Sequence, residues 1–175
     1  ARGFSIREMG WLASLPQYAT VLAVLLGGVM IDRIERRHVP LIFLAASTGV
    51  AASVLLAISV ENPYAAAYCL VAANFCWGLQ SPAIPSTVQH CARPEHVASA
   101  YGVVNGTGSL VAGFMPALMG AAISWASGGQ GGSTAGGFYI GFALLIGTQV
   151  VVFFCGFLLW LRERQPSAAH LATSA

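Results

Sequence analysis

The sequence predicts an all-α membrane protein with five transmembrane helices, and three observations carry that expectation. Hydrophobic residues make up 57% of the chain and charged residues only 8%, where soluble domains carry about 25% charged residues. The apolar residues fall into uninterrupted runs of about 20, the length needed to cross roughly 30 Å of hydrocarbon at about 1.5 Å per residue. The arginines gather at every second break between runs, the pattern expected of loops retained on one side of a bilayer.

Residues 1–10 mix polar and apolar positions, and the first span is read at 11–31. Pro16 and Gln17 predict a kink near one membrane face, because proline removes a backbone hydrogen bond and crowds the carbonyl four residues back. Gly27 and Gly28 offer a bare backbone to a second helix. A basic loop follows, and the second span covers 40–60, closed by the turn signal Glu61-Asn62-Pro63. The third span, 64–88, carries Asn74, Gln80, Ser81, Pro82 and Pro85. Its two late prolines would free the carbonyls of Gly78 and Ser81, giving a bend with open acceptors near mid-membrane. The connection 89–96 holds Arg93 and Glu95. A fourth span, 97–125, contains Gly102 and Gly106 in a Gly-x-x-x-Gly pattern, with Pro116 and Gly120 further on. After a Gly/Ser/Gln linker at 127–136, the fifth span runs 137–161 and opens on a second such pattern, Gly137 and Gly141. Residues 162–175 read as a disordered cytoplasmic tail rich in alanine and serine.

Six of the eight arginines (Arg33, Arg36, Arg37, Arg93, Arg162, Arg164) follow the first, third and fifth spans, against Arg2 and Arg7 at the opposite side. The positive-inside rule then puts the N-terminus outside and the C-terminus in the cytoplasm, and the membrane expected is a bacterial inner (plasma) membrane. The chain opens on Ala1-Arg2-Gly3 with no initiator methionine, basic n-region or cleavage site, and reads as a fragment of something longer.

Candidate chemistry is sparse. Asp32 sits where the first span leaves the hydrocarbon, with Arg33, Arg36 and Arg37 just beyond. A stop-transfer anchor needs arginines but no carboxylate, whereas a carboxylate at a helix end can hold an arginine or a neighbouring helix end in one conformation and release it in another. These four residues form a candidate gate. Polar side chains inside a span are costly unless they face the bundle or a watery cavity, so Gln80, Ser81 and Asn105 are candidate substrate contacts. Ser109 and Gly102 share a helical face with Asn105, at spacings of four and three, and Trp77 could stack on a substrate. The plainer reading is that Gln80 and Asn105 hydrogen-bond between helices, as Asn74 and Gln149 are expected to do, at about 1 kcal/mol each.

The four cysteines form no Cys-x-x-Cys pair. Cys69, Cys76 and Cys155 read as small apolar core residues and Cys91 as a loop residue. His38, His90 and His96 sit at span ends without metal-ligand spacing, so no metal and no cofactor are expected. There is no nucleophile with its base and no buried carboxylate pair, so no enzyme activity is expected.

The pattern Gly28-x-x-x-Asp32-Arg33-x-x-Arg36-Arg37 resembles the signature loop of the major facilitator superfamily. The stretch Gly102-Val-Val-Asn105-Gly-Thr-Gly108, followed by Pro116 and Gly120, resembles that family's eleventh helix, and Arg93-Pro94-Glu95 resembles the loop before it. The resemblance implies a partial C-terminal bundle, helices eight to twelve, whose partner is the missing N-terminal half of the same transporter. The opening residues 3–16 are similar to the start of helix eight in the anion:cation symporter branch. That branch usually has an aspartate shortly before the loop Pro-Glu, where this chain has His90, and the extra arginine often found near His96 or Val97 is also missing; the resemblance therefore implies a differently latched gate. On this reading the chain is part of a symporter moving a small organic anion, a sugar acid or carboxylate, with protons. Alternatives are a drug/proton exporter of the same superfamily and, from another class, a membrane sensor or assembly module that does not transport.

Overall fold

Wherever a chain this apolar leaves water, its backbone polar groups must be satisfied internally, and helices do this locally. The computed structural model describes residues 6–126 and 135–164. They form α1 (Ile6–Arg33), a 3-10 turn (Arg36–His38), α2 (Val39–Ser59), α3 (Pro63–Gln80), α4 (Ala83–Cys91), a second 3-10 turn (Pro94–His96), α5 (Val97–Ala126) and α6 (Ala135–Arg164), with no strand among the described residues. Among the described residues, four stretches are long and apolar enough to cross a membrane: Gly10–Arg33, Arg36–Ser59, Pro94–Trp125 and Tyr139–Arg164.

The stretch read as a single third span is two helices. Pro82 has no N–H for the Gly78 carbonyl and Pro85 none for that of Ser81, so α3 ends at Gln80 and α4 begins at Ala83. The two carbonyls expected to stand open are nonetheless taken. Ser81 N–H donates to the Gly78 carbonyl at 3.2 Å and Ile84 N–H to that of Ser81 at 3.3 Å, both as tight three-residue turns. The 18 residues of α3 rise only about 27 Å, and Asn74 and Gln80 dilute their hydropathy.

Other boundaries move by a few residues. Pro16 does not end α1, which begins at Ile6. Asn62 caps α3 by accepting from Tyr64 N–H at 2.9 Å, with Pro63 in the first turn. At the other end of the chain, Arg162, Glu163 and Arg164 belong to α6 rather than to a disordered tail. Arginines suit a helix C-terminus, and the Arg164 guanidinium lies 4.0 Å over the Trp160 ring. The rest of that tail, residues 165–175, and most of the glycine-rich linker, 127–134, lie outside the described residues.

α1 lies along α3, α3 along α2, and α2 along α6, while α5 leans chiefly on α6. Lipid tails are as apolar as leucine, so small residues rather than a hydrophobic drive decide where membrane helices meet. Gly78 and Gly27 bring α3 and α1 together: a β-carbon on Gly78 would stand 2.7 Å from the Ala23 β-carbon, and one on Gly27 2.6 Å from the Leu79 carbonyl oxygen. Gly28, also expected at a helix approach, meets nothing within 4 Å. Val50 and Val54 of α2 cluster with Ala73 of α3 and with Phe142 and Ile146 of α6. A second cluster, Val39, Ile42 and Ala83, lies toward the arginine-bearing end of the bundle. Cys69 and Cys76 are half-buried; Cys155 is exposed rather than core, and Cys91 is the last residue of α4 rather than a loop residue.

Candidate functional site

Two groups of candidate residues stand in different settings. The first is at the basic end, where α1 and α4 finish, α2 and α5 begin, and α6 stops. Asp32 and Arg33 close α1, and both are exposed with no ion pair among the described residues. An acid in the last turn of a helix sits against the negative end of the helix dipole, so Asp32 gains from a cationic or N–H partner outside its own helix. Arg37 Nε reaches Glu35 Oε2 at 2.6 Å, a fully surface pair of little energetic weight. Arg36 does more. Its Nη1 lies 2.9 Å from His90 Nδ1 at the end of α4, and His90 Nε2 is 3.6 Å from Glu163 Oε1 at the end of α6.

These three side chains rim a small cavity completed by Val39 and Pro40 of α2, Ser86 and Thr87 of α4, and Leu159 of α6. His90 and Glu163 were not candidates on sequence grounds. The only sequence signal was that His90 occupies a position where an acid was expected; Glu163 looked like one more charge ending a span.

The second group lies within the helices. Asn105 and Ser109 are exposed on α5, as is every residue from 101 to 114. Neither Gly102 nor Gly106 has an atom within 4 Å of where a β-carbon would stand. Trp77 on α3 is 48% exposed. Gln80, by contrast, is 6% exposed, and its Oε1 has no hydrogen-bond partner. Ser81, half-buried, sits at the break between α3 and α4. The fold therefore leaves Asn105 and Ser109 uncovered on one helix and encloses Gln80 in the packing of another.

The two residues expected to join helices do not do so through their side chains. Asn74 Nδ2 donates to the Leu70 carbonyl of its own helix at 2.9 Å; the α1 contact there uses the Asn74 backbone carbonyl, 3.5 Å from Thr20 Oγ1. Gln149 Oε1, on α6, is buried without a partner. Among the described residues no group of three His, Cys, Asp or Glu side chains is placed to hold a metal ion.

Comparison with curated proteins finds no match, and comparison with solved structures finds none. The family profile described as Major Facilitator Superfamily does match, over residues 1–174. With a bundle of long apolar helices, a glycine-dependent helix approach and charged residues collected at one end, the chain belongs to the Major Facilitator Superfamily of membrane transporters.

Proposed function

We propose that this chain is the helix-eight-to-twelve portion of a secondary transporter that moves a small organic anion, a sugar acid or carboxylate, together with protons by alternating access. Five crossings follow if α3 and α4 together make the third. The N-terminus then lies outside and the basic end in the cytoplasm, in a bacterial inner membrane. The substrate face is formed by Asn105 and Ser109 of α5 with Trp77 of α3, and Gln80 and Ser81 contribute at the helix break. Asp32, Arg33, Arg36 and Arg37 gate the cytoplasmic side, and a second half of the transporter supplies the opposite wall. The opening residues 3–16 resemble the anion:cation symporter branch.

The observation that carries this reading is the exposure of α5. A helix meant to face only lipid would keep its polar groups off its surface, yet Asn105, Thr107 and Ser109 all stand uncovered, beside glycines that leave room for a ligand. The same helix favours one competitor. Further along α5, Val111, Phe114, Ala117, Leu118 and Ala121 line an open apolar groove, which suits a hydrophobic drug moved by a proton-coupled exporter.

Proton-driven uptake in vesicles holding the complete two-half transporter separates these readings, using a panel of sugar acids, aromatic carboxylates and cationic dyes. Acid-driven uptake of one carboxylate supports the anion symporter. Dye extrusion without carboxylate uptake replaces it with the exporter, and no movement of any probe favours a membrane module that does not transport.

A further inference from the structure

We infer that His90 is a proton-operated exchange point: neutral, it holds the loop between α1 and α2 through Arg36; protonated, it lets Arg36 go and holds α6 through Glu163. The geometry determines the tautomer. A guanidinium is always charged and only donates, so an Arg36 Nη1 to His90 Nδ1 distance of 2.9 Å is a hydrogen bond only if Nδ1 carries no proton. The ring proton then sits on Nε2, directed at Glu163 Oε1 3.6 Å away, a distance beyond a good hydrogen bond.

Adding a proton from water to Nδ1 forms one N–H bond and breaks no covalent bond. It turns the acceptor facing Arg36 into a donor and places two cations in contact. The same proton gives the ring a full positive charge opposite the Glu163 carboxylate. Attachment moves from the loop to α6.

Among the described residues, no charged group other than Arg36, His90 and Glu163 lines this cavity. From α2, Val39 and Pro40 face this cavity; from α4, Ser86, Thr87 and Cys91; from α6, Leu159 besides Glu163. The Thr87 hydroxyl already donates to the Ala83 carbonyl at 2.8 Å. Arg37 is engaged with Glu35, and Arg164 lies over Trp160. Arg93, Glu95 and His96, in the connection that leads into α5, are exposed and make no ion pair or hydrogen bond with His90 among the described residues. The side chains of His90 and Glu163 are 45% and 35% exposed, so water delivers the proton directly. Histidine is the side chain suited to respond between about pH 5 and 8.

For its effect on transport the inference rests on the gating reading of Arg36 given above. The exchange itself is measured without transport. Spin labels at His38→Cys and Gln89→Cys, in an otherwise cysteine-free complete transporter in vesicles, report the separation of loop and α4. The distance is expected to lengthen and broaden from about pH 8 to about pH 5. His90→Gln, whose neutral amide oxygen can accept from Arg36 at any pH, is expected to keep the short distance throughout. A second pair, Gln89→Cys with Arg162→Cys, is expected to shorten on acidification, and to lose that response when Glu163→Gln is added.

A loop distance that ignores pH, or the same response in His90→Gln, overturns the exchange. A response that depends on His90 but leaves turnover unchanged in the same vesicles keeps the exchange and removes the gating reading of this loop.

Discussion

Gly78 on α3 and Gly106 on α5 are the same residue in helices of the same protein, with opposite surroundings. A β-carbon on Gly78 would meet Ala23 at 2.7 Å and the Thr20 carbonyl oxygen at 2.8 Å; one on Gly106 would meet nothing within 4 Å. The first belongs to a packed row of helices, α1, α3, α2 and α6, the second to a helix that leans chiefly on α6. Glycine in the first region makes the bundle. In the second it makes room. Stability and ligand contact are thus separated in space, and substitutions should separate them too.

The largest effect is expected at Gly78→Leu, which forces α1 and α3 apart and costs about 3 kcal/mol. Thermal unfolding in detergent is the measurement, with Gly106→Leu changing stability by no more than about 0.5 kcal/mol. Equal losses would dissolve the distinction between the regions. Next, Asn105→Ala should weaken substrate affinity about tenfold, the loss of about 1.4 kcal/mol, with expression and unfolding temperature unchanged. Uptake titrations test it, and an unaltered affinity would return Asn105 to a role between helices. Smaller again, Asp32→Asn should slow turnover about threefold with affinity retained, since about 0.6 kcal/mol is what a partner at a helix end contributes. Equal turnover would make the loop an anchor. The smallest effect belongs to Gln80→Met. Removing a buried acceptor with no partner while keeping its volume should leave the unfolding temperature unchanged or raise it by a few degrees; a clear loss of stability would mean that Gln80 has a partner, and unaltered uptake would take it off the substrate face.

Much of the architecture was legible in the chain. The apolar runs, the arginines that end them and Asn62-Pro63 marked the helices to within a few residues, because capping groups, prolines and charges act on their own backbone. The sequence also pointed to a bend near Pro82, though not to a full break into two helices or to how it closes: the freed carbonyls of Gly78 and Ser81 are taken by donors three residues on, a choice made by local geometry after the proline has removed the regular donor. The candidate site was less readable. Asn105 and Gln80 looked alike as polar residues in apolar helices, and nothing in their neighbours foretold that one would be uncovered and the other enclosed. His90 looked like a lone histidine until the ends of α4 and α6 met the loop before α2.

The sequence by itself determined that this chain folds as membrane helices, where most of those helices start and stop to within a few residues, and which end of the bundle is basic. Those properties follow from hydrocarbon thickness, backbone hydrogen bonding and local charge, which act on consecutive residues. The tertiary structure alone decided which glycines are contact points, that Gln80 is inside and Asn105 outside, and that Arg36, His90 and Glu163 form one cluster. Helices such as α2 and α6 are apolar nearly all round, so their pattern does not mark an inner face; the face is chosen by how small residues far apart in the chain let two backbones approach.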